Sequence, residues 1–238
     1  MSAVAAPVPS CAVPSHVVVI FSGGLDSTTL AYWLASQGAR LTLLSVDYGQ
    51  RHARELACAR RIAAGLRAVH HMADLRAAGE LLGGSALTSR AVQVPDGHYT
   101  DASMRTTVVP NRNALLLDLA TGLAVSSGAG AVAYGAHSGD HAIYPDCRPE
   151  FVAAYQQMAR IANAGFLPAD FTVLAPFISM AKAGIVSLAA QLGVPAGQTW
   201  SCYRGGDAHC GTCGTCTERR EAFAAAGIAD PVLYLGGR

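Results

Sequence analysis

The sequence predicts an α/β protein built on a doubly wound, Rossmann-like parallel sheet, with a cysteine-rich segment near its C-terminal end. Short apolar runs typical of strands alternate with longer helical segments along most of the chain. The first run, VVVIF at 17–21, is nearly continuous and β-branched, as expected for a strand buried on both faces of a parallel sheet. Four of the seven cysteines fall within residues 202–216. Sheets of this kind bind ligands beyond the carboxyl ends of their strands.

The elements of the first half follow from this alternation. The strand at 17–21 leads into a helix at 26–37, which the following GAR tripeptide ends. A second strand is predicted at 41–46 and a helix at 51–66. A third strand follows at 67–71. These units make the first wing of the predicted sheet.

The second half continues the alternation after a long interruption. Residues 77–109 contain paired glycines and Pro95 and are predicted to be irregular, and such long loops often line a site. After them, the predicted elements are a helix at 111–125, a strand at 130–135, a helix at 148–164, a strand at 172–174 and a helix at 181–192. We expect a flexible tail over 1–15, an α/β domain over 16–198 and a cysteine-rich segment over 199–238 packed on it.

The composition limits the class of protein. The chain has 51% hydrophobic and 14% charged residues, enough apolar material for a core and too much for a disordered chain. The net charge of +1 gives no basic excess, so no nucleic-acid partner is expected. The most apolar window, 114–134, is interrupted by Asp118, so no membrane span is expected. The N-terminal stretch does not resemble a secretory signal, and with unpaired cysteines this predicts a cytoplasmic protein.

The run SGGLDS at 22–27 follows the first strand and opens the first helix. Glycines allow the backbone to approach an anion closely, and the helix start offers free N–H groups beside the hydroxyls of serine and threonine. This chemistry suits a phosphate group. The alternative is an ordinary strand-to-helix turn capped by Asp26 or Ser27. The other common phosphate motifs, GxxxxGK[ST] and GxGxxG, are absent from the sequence.

The cysteine-rich segment has metal-ligand spacing. Two consecutive CxxC steps join Cys210, Cys213 and Cys216, and Cys202 supplies a fourth thiolate. Four thiolates form the closed tetrahedral set of a structural zinc site, which would staple the segment rather than catalyse. An iron–sulfur cluster is the main alternative, but the ferredoxin spacing would need a cysteine where Arg220 stands.

Four further runs are more polar than strand ends and turns usually are. They are DYGQRH at 47–52, VPNRN at 109–113, GAHSGDHAIYPDCRPEF at 135–151 and TWSCY at 199–203. The first three fall at strand-to-helix junctions, the edge of the sheet where the glycine loop also lies. Each has an ordinary explanation as a turn or a solvated helix start. Together they predict a pocket.

In this order the motifs resemble a known family. SGGLDS resembles the pyrophosphate loop of the PP-loop ATP pyrophosphatases, and the full set, from about residue 17 to 223, is similar to the 7-cyano-7-deazaguanine synthase (preQ0 synthase) family. The resemblance implies an adenine nucleotide α-hydrolase type of fold. It implies a ligase that converts 7-carboxy-7-deazaguanine, ammonia and ATP into the 7-cyano product on the queuosine route, through adenylated carboxylate and amide intermediates. It also implies Mg²⁺, one structural zinc and a homodimer.

The resemblance also implies roles for individual residues. Asp26 would hold Mg²⁺, and Lys182 and Arg112 would act catalytically on phosphate and carboxylate charge, with Arg148 beside them. Asp146 would accept hydrogen bonds from the deazapurine, and Tyr144 or Tyr203 would stack on its ring. The ATP-binding candidates are Phe21, Ser22, Gly23, Gly24, Leu25, Asp26, Ser27, Thr28, Thr29 and Leu30. The substrate-binding candidates are Tyr48, Arg112, Asn113, His137, Asp140, Tyr144, Asp146, Cys147 and Arg148, and the metal ligands are Cys202, Cys210, Cys213 and Cys216.

Several alternatives stay open at this point. Cys147 is a pocket-wall residue in the favoured interpretation and a thioester-forming nucleophile in the other. The enzyme itself has three competing interpretations: a tRNA-modifying relative, a paralogue that adenylates a different carboxylate, and an interaction module with a vestigial loop. A basic surface is expected of the first, and the intact loop argues against the last.

Overall fold

A computed structural model describes residues 11–99 and 102–235 of the chain. Its strands are β1 (His16–Ile20), β2 (Arg40–Asp47), β3 (Val69–Asp74), β4 (Ala131–Ala133) and β5 (Thr172–Leu174). Its helices are α1 (Leu25–Ser36), α2 (Arg54–Leu66), α3 (Arg76–Leu81), α4 (Arg112–Ser127), α5 (Pro149–Ala162), α6 (Lys182–Gln191) and α7 (Gly214–Ala225). Most of the tail predicted at 1–15, residues 1–10, lies outside the described residues, as do 236–238.

The strands form one sheet in the order β3-β2-β1-β4-β5, and every pairing is parallel. Val17 of β1 pairs with Leu41 of β2 on one side and with Ala131 of β4 on the other. After β1, the chain therefore adds β2 and β3 on one side of this strand and then crosses to add β4 and β5 on the other side. The predicted doubly wound parallel sheet is confirmed, and the gap between the ends of β1 and β4 is its switch point, where ligands bind in such folds.

Both faces of the sheet are covered by helices. Val17 and Val19 pack with α1, α2 and α6 on one face, while Val18 packs with α4 and α5 on the other. All three valines are fully buried. This burial on both faces explains why β1 is a continuous apolar run rather than an alternating one.

The boundaries of several elements differ from the predictions. The third strand begins at Val69, because Arg67 adopts a left-handed conformation with φ of 52° at the end of α2. The stretch predicted as irregular, 77–109, contains most of α3 and a 3₁₀ segment at Ala102–Thr107. α3 has six residues and no apolar period of its own, so its sequence carried little helical signal.

The C-terminal segment packs onto the sheet domain through α7. Ala222 and Phe223 of α7 join Val186 and Ala189 of α6 in a small apolar cluster. Arg219 of α7 is 1% exposed and forms a salt bridge with Asp230 at 2.9 Å. The sequence did not predict helix α7. The boundary between the sheet domain and the C-terminal segment, at 198/199, stays a prediction. None of the helices in the described ranges combines the length and apolar character that crossing a bilayer requires.

Candidate functional site

A cavity of ≈220 Å³ opens at the carboxyl ends of β1, β2 and β4, beside the switch point. The loops that follow these strands, the start of α4 and the C-terminal segment form its walls. Of the residues proposed from the sequence, those that line it are Phe21, Ser22, Gly24, Leu25, Asp26, Ser27, Tyr48, Arg112, Asn113, His137, Asp140, Tyr144, Cys147, Lys182 and Tyr203. Residues far apart in the sequence thus meet in one place.

The glycine loop turns sharply between β1 and α1. Gly23 has φ of +84°, and a Cβ there would lie 2.5 Å from the carbonyl oxygen of Glu55, so only glycine fits. The hydroxyl of Ser22 accepts from the N–H of Gly24 at 3.1 Å and lies 3.1 Å from the hydroxyl of Ser27. No side chain of the described residues caps α1. Its first N–H groups therefore face the cavity edge as donors suited to an anion.

Four residues of the predicted ATP loop do not line the cavity. Gly23 packs against α2, and Thr28, Thr29 and Leu30 are fully buried in the protein interior. The hydroxyl of Thr29 donates to the carbonyl of Leu25 at 2.8 Å. These three side chains belong to the inward side of α1, which packs against the sheet.

The second feature of the cavity is a buried cluster around Lys182. Its Nζ lies 2.5 Å from Oδ2 of Asp26, 3.4 Å from Oε2 of Glu218 and 3.3 Å from Nε2 of His137. Burial alone would lower the pKa of Lys182, but Asp26 and Glu218 outweigh it and raise the pKa above its ordinary value. The lysine therefore stays charged. Burial opposes the ionisation of Asp26, yet Lys182 and His137 hold the pKa of this carboxyl below its usual value.

His137 and Asp140 are fixed by their own turn. The ring of His137 accepts from the N–H of Gly139, and the carboxylate of Asp140 accepts from the N–H of His137. The hydroxyl of Tyr99 donates to Asp140 at 3.0 Å. These contacts orient His137 toward Lys182.

The opposite wall is aromatic and carries Arg112, at the start of α4. Burial raises the pKa of Tyr48, and the nearby charge of Arg112 acts against this rise. The hydroxyl of Tyr144 lies 2.6 Å from that of Thr107 and 3.4 Å from that of Tyr203. The ring of Tyr203 packs on His52, with centroids 5.4 Å apart. A cation among aromatic side chains suits a flat, anionic ligand.

Three candidates of the YPDCRPEF run occupy different places. Cys147 lies in the cavity wall, where its sulfur accepts from the amide of Asn113 at 3.3 Å. Asp146 does not line the cavity, because its carboxylate accepts from the backbone N–H of Asn113 at 3.2 Å. Arg148 does not line it either, since its Nε donates to the carbonyl of His141.

The four cysteines of the C-terminal segment form a candidate metal centre. The sulfurs of Cys202, Cys210, Cys213 and Cys216 all lie within 4.8 Å of one another. The backbone N–H of Cys210 donates to the sulfur of Cys202, and that of Cys213 donates to the sulfur of Cys210. Such bonds favour thiolates, the form that binds a metal. The cluster can hold a metal ion.

Comparisons with known proteins identify the family of this chain. A family model described as "Queuosine biosynthesis protein QueC" matches residues 16–227. The chain belongs to this family. The 7-cyano-7-deazaguanine synthase of Rhizobium etli is 52% identical over 217 residues, which cover 91% of each protein. That of Paracoccus denitrificans is 53% identical over 217 residues, 91% of this chain and 92% of the relative. The solved NH3-dependent NAD synthetase of Campylobacter jejuni aligns at 14% identity with a TM-score of 0.46, over 76% of this chain and 66% of that one.

Within this QueC-family chain, sequence reasoning missed several residues that line the cavity. The main ones are His52, Glu55, Tyr99, Trp200 and Glu218. His52 and Trp200 lay inside motifs already quoted, but Tyr99 lay in the stretch taken as irregular. Glu218 lies on the helix that was not predicted, so no pattern pointed to it. For Lys182 a further signal existed, because it is the sole lysine of the sequence.

Proposed function

We propose that this chain catalyses the ATP-dependent conversion of 7-carboxy-7-deazaguanine and ammonia into 7-cyano-7-deazaguanine. The observation that carries the proposal is its identity of 52–53% over 91% of the chain with relatives named for this synthesis. The cavity supports it, because a glycine loop suited to phosphate and a cationic aromatic wall face the same space. Nucleotide and deazapurine would meet there.

The chemistry explains why two anions have to share a cavity with fixed cations. A carboxylate resists attack by ammonia, because its leaving group would be an oxide, so ATP first transfers AMP to the carboxylate. Ammonia then displaces AMP and gives an amide. Transfer of a second AMP to the amide oxygen allows loss of AMP and a proton, which leaves the nitrile. Each transfer builds charge on the phosphate being attacked.

The residues of the cavity divide this work. The uncapped start of α1 and the hydroxyls of Ser22 and Ser27 would hold the phosphates. Lys182 is charged and lies beside this loop, so it would stabilise the charge that develops at the attacked phosphorus. On the opposite wall, Arg112 would bind the substrate carboxylate and Tyr48, Tyr144 or Tyr203 would pack against the ring. Asp146 and Arg148 would act from behind this wall by holding the start of α4 and the turn before α5.

The cavity also suits the Mg²⁺ that the resemblance implies. Oδ1 of Asp26 is buried beside the glycine loop and has no hydrogen-bond partner in the described part of the chain. An unpaired carboxylate oxygen of this kind suits Mg²⁺, which would neutralise phosphate charge.

For the cysteine centre we propose zinc. Four Zn–S bonds of about 2.3 Å place the sulfurs of a tetrahedral site about 3.8 Å apart. The sulfurs of Cys210 and Cys216 are 3.9 Å apart. All four sulfurs lie within 4.8 Å of one another, a spacing that suits one ion rather than a cluster with its own sulfides. Zinc would cross-link the C-terminal segment and would take no part in the reaction.

A cytoplasmic homodimer is the remaining part of the proposal. Met158 and Ile161 of α5 are 44% and 70% exposed, and the nearby Phe166 is 77% exposed. Exposed apolar side chains in one region support an interface with a second copy of the chain.

One incubation tests the proposed reaction. The purified protein would be mixed with 7-carboxy-7-deazaguanine, ATP, Mg²⁺ and ammonium, and the products separated by mass spectrometry. The expected products are the nitrile, AMP and pyrophosphate. The chain would be assigned to a different substrate if two results were obtained. This acid would give no nitrile, and another carboxylate would give AMP without the nitrile.

A further inference from the structure

Glu55, in the first turn of α2, is a buried carboxylate that the functions proposed above leave unused. It is 8% exposed and lines the cavity. Its Oε1 accepts a hydrogen bond from Nε2 of Gln50 at 3.2 Å and lies 3.4 Å from Nε2 of His52. The carboxylate is thus held in one orientation at the cavity wall.

Among the residues that the structure describes, no lysine or arginine forms a salt bridge with Glu55. Asp26 and Glu218 share Lys182, and Asp230 pairs with Arg219. For Glu55 the sole ion-pair partner within 4.0 Å in the described ranges is His52. Burial and the nearby charge of Arg112 lower the pKa of His52 to about 3, so that ring is neutral near pH 7.

Burial has the opposite effect on the carboxyl itself. It raises the pKa of Glu55 to about 8, although the hydrogen bond from Gln50 and the charge of Arg112 act against it. The other titratable groups that face Glu55 are Tyr48 and the thiol of Cys58, and both are neutral near pH 7. Near pH 7 Glu55 is therefore ionised in only part of the molecules, and a mobile cation bound in the cavity would favour this ionised form.

We propose that Glu55 forms an ammonium-binding subsite in the cavity and takes a proton from the bound ion, which releases ammonia for attack on the activated carboxyl group. This inference rests on the proposed function, in which ammonium is the one cationic substrate. Near neutral pH ammonium greatly exceeds free ammonia and has no lone pair for attack. A carboxylate without its own cation, placed in the wall of the reaction cavity, meets both needs.

The step balances without any further reactant. One N–H bond of ammonium breaks and its proton passes to a carboxylate oxygen of Glu55. The lone pair of ammonia then forms the C–N bond with the acyl carbon. The C–O bond to AMP breaks, AMP leaves with that electron pair, and the surplus proton on nitrogen passes to water. Glu55 returns its proton to solvent before the next turnover.

The test uses Glu55→Gln, which keeps the shape and removes the base, beside Glu80→Gln at an exposed site on α3 as the matched control. Three rates are measured near neutral pH. Adenylation is measured, without ammonium, as the exchange of pyrophosphate into ATP that depends on 7-carboxy-7-deazaguanine. Amide and nitrile formation is followed at increasing ammonium. Hydroxamate formation is followed with hydroxylamine, a nucleophile that is already neutral at this pH.

We expect Glu55→Gln to retain exchange and hydroxamate formation while its ammonium-dependent kcat/KM falls by about 100-fold. Raising the pH above about 8 should narrow that deficit, because Glu55 is then already ionised while the fraction of free ammonia still grows. Glu80→Gln should match the wild type in all three assays. An equal loss with hydroxylamine, or a full rate with ammonium, would overturn the subsite. Absence of exchange in the wild-type enzyme would instead overturn the proposed function.

Discussion

At the scale of single residues, the charge of Lys182 is the feature most closely tied to the proposed adenylation. Its ammonium group lies between the carboxylates of Asp26 and Glu218, which keep it protonated despite burial. A fixed positive charge beside the glycine loop is in place before the reaction starts, so little reorganisation would be needed as charge develops on a bound phosphate.

Replacing this lysine should therefore affect chemistry more than binding. We expect Lys182→Met to lower the rate of pyrophosphate exchange by about 100- to 1,000-fold. Arg90→Met, at an exposed position, is the matched control and should keep the wild-type rate. Thermal melting of both variants checks the fold, because the change leaves two carboxylates facing each other. An exchange rate close to wild type in Lys182→Met would remove Lys182 from the proposed mechanism.

Cys147 gives the opposite expectation. Burial raises the pKa of its thiol above the ordinary value, and the thiolate is the nucleophilic form. Its neighbours, Asn113 and Asp146, hold it in the cavity wall. We expect Cys147→Ser to retain most of the rate of nitrile formation, measured by chromatography. A loss comparable to that of Lys182→Met, together with a covalent adduct on the wild-type thiol by mass spectrometry, would support the nucleophile instead.

At the scale of elements, α7 connects the candidate metal centre to the cavity. Cys213 precedes its first residue, Cys216 lies in its first turn, and Glu218 reaches Lys182 from the same helix. Arg219 then fixes the loop before it through Thr199 and the carbonyl of Ala196. A metal ion that fixes the start of α7 would therefore also position Glu218.

Metal removal and a point substitution separate these two roles of α7. Chelation, followed by removal of the chelator and return of the protein to Mg²⁺ buffer, should lower the melting temperature and slow adenylation, because Glu218 loses its support. Glu218→Gln in the metal-loaded protein should slow adenylation while the metal content and melting temperature stay near wild type. Metal analysis, calorimetry and pyrophosphate exchange check this. A chelated protein that melts earlier but adenylates at the full rate would show that the centre is independent of the cavity.

At the scale of the whole molecule, the sheet was predictable because the apolar composition of its strands indicates that they are buried. The run at Val17–Val19 is apolar without interruption since helices cover both faces, and the parallel order follows from the alternation with helices. The ordered motifs also led to the prediction that the glycine loop, Arg112 and Lys182 lie at the same edge of the sheet. Glu218 and Glu55 were not predicted to line the cavity. Packing between segments that are distant in the sequence brings them there, and no local sequence pattern indicates such packing. Thr28 and Thr29 do not line the cavity, and a hydroxyl in the sequence does not show which side of α1 it occupies.

The exposed apolar face of α5 leads to a prediction at the same scale. If a second copy covers it, Ile161→Asp should shift the mass measured by light scattering from dimer to monomer. Val69→Asp, at an exposed apolar position on the edge strand β3, is the control and should leave the mass unchanged. A wild-type mass equal to one chain, 24.5 kDa, would contradict the dimer.

The most direct test of the proposed synthesis follows the oxygen atoms of the substrate. 7-Carboxy-7-deazaguanine labelled with ¹⁸O in both carboxyl positions would be converted with ATP and ammonium, and the AMP analysed by mass spectrometry. If each adenylation uses an oxygen of the substrate, two AMP molecules form for each nitrile and both carry ¹⁸O. Unlabelled AMP, or a nitrile formed without AMP, would contradict the account.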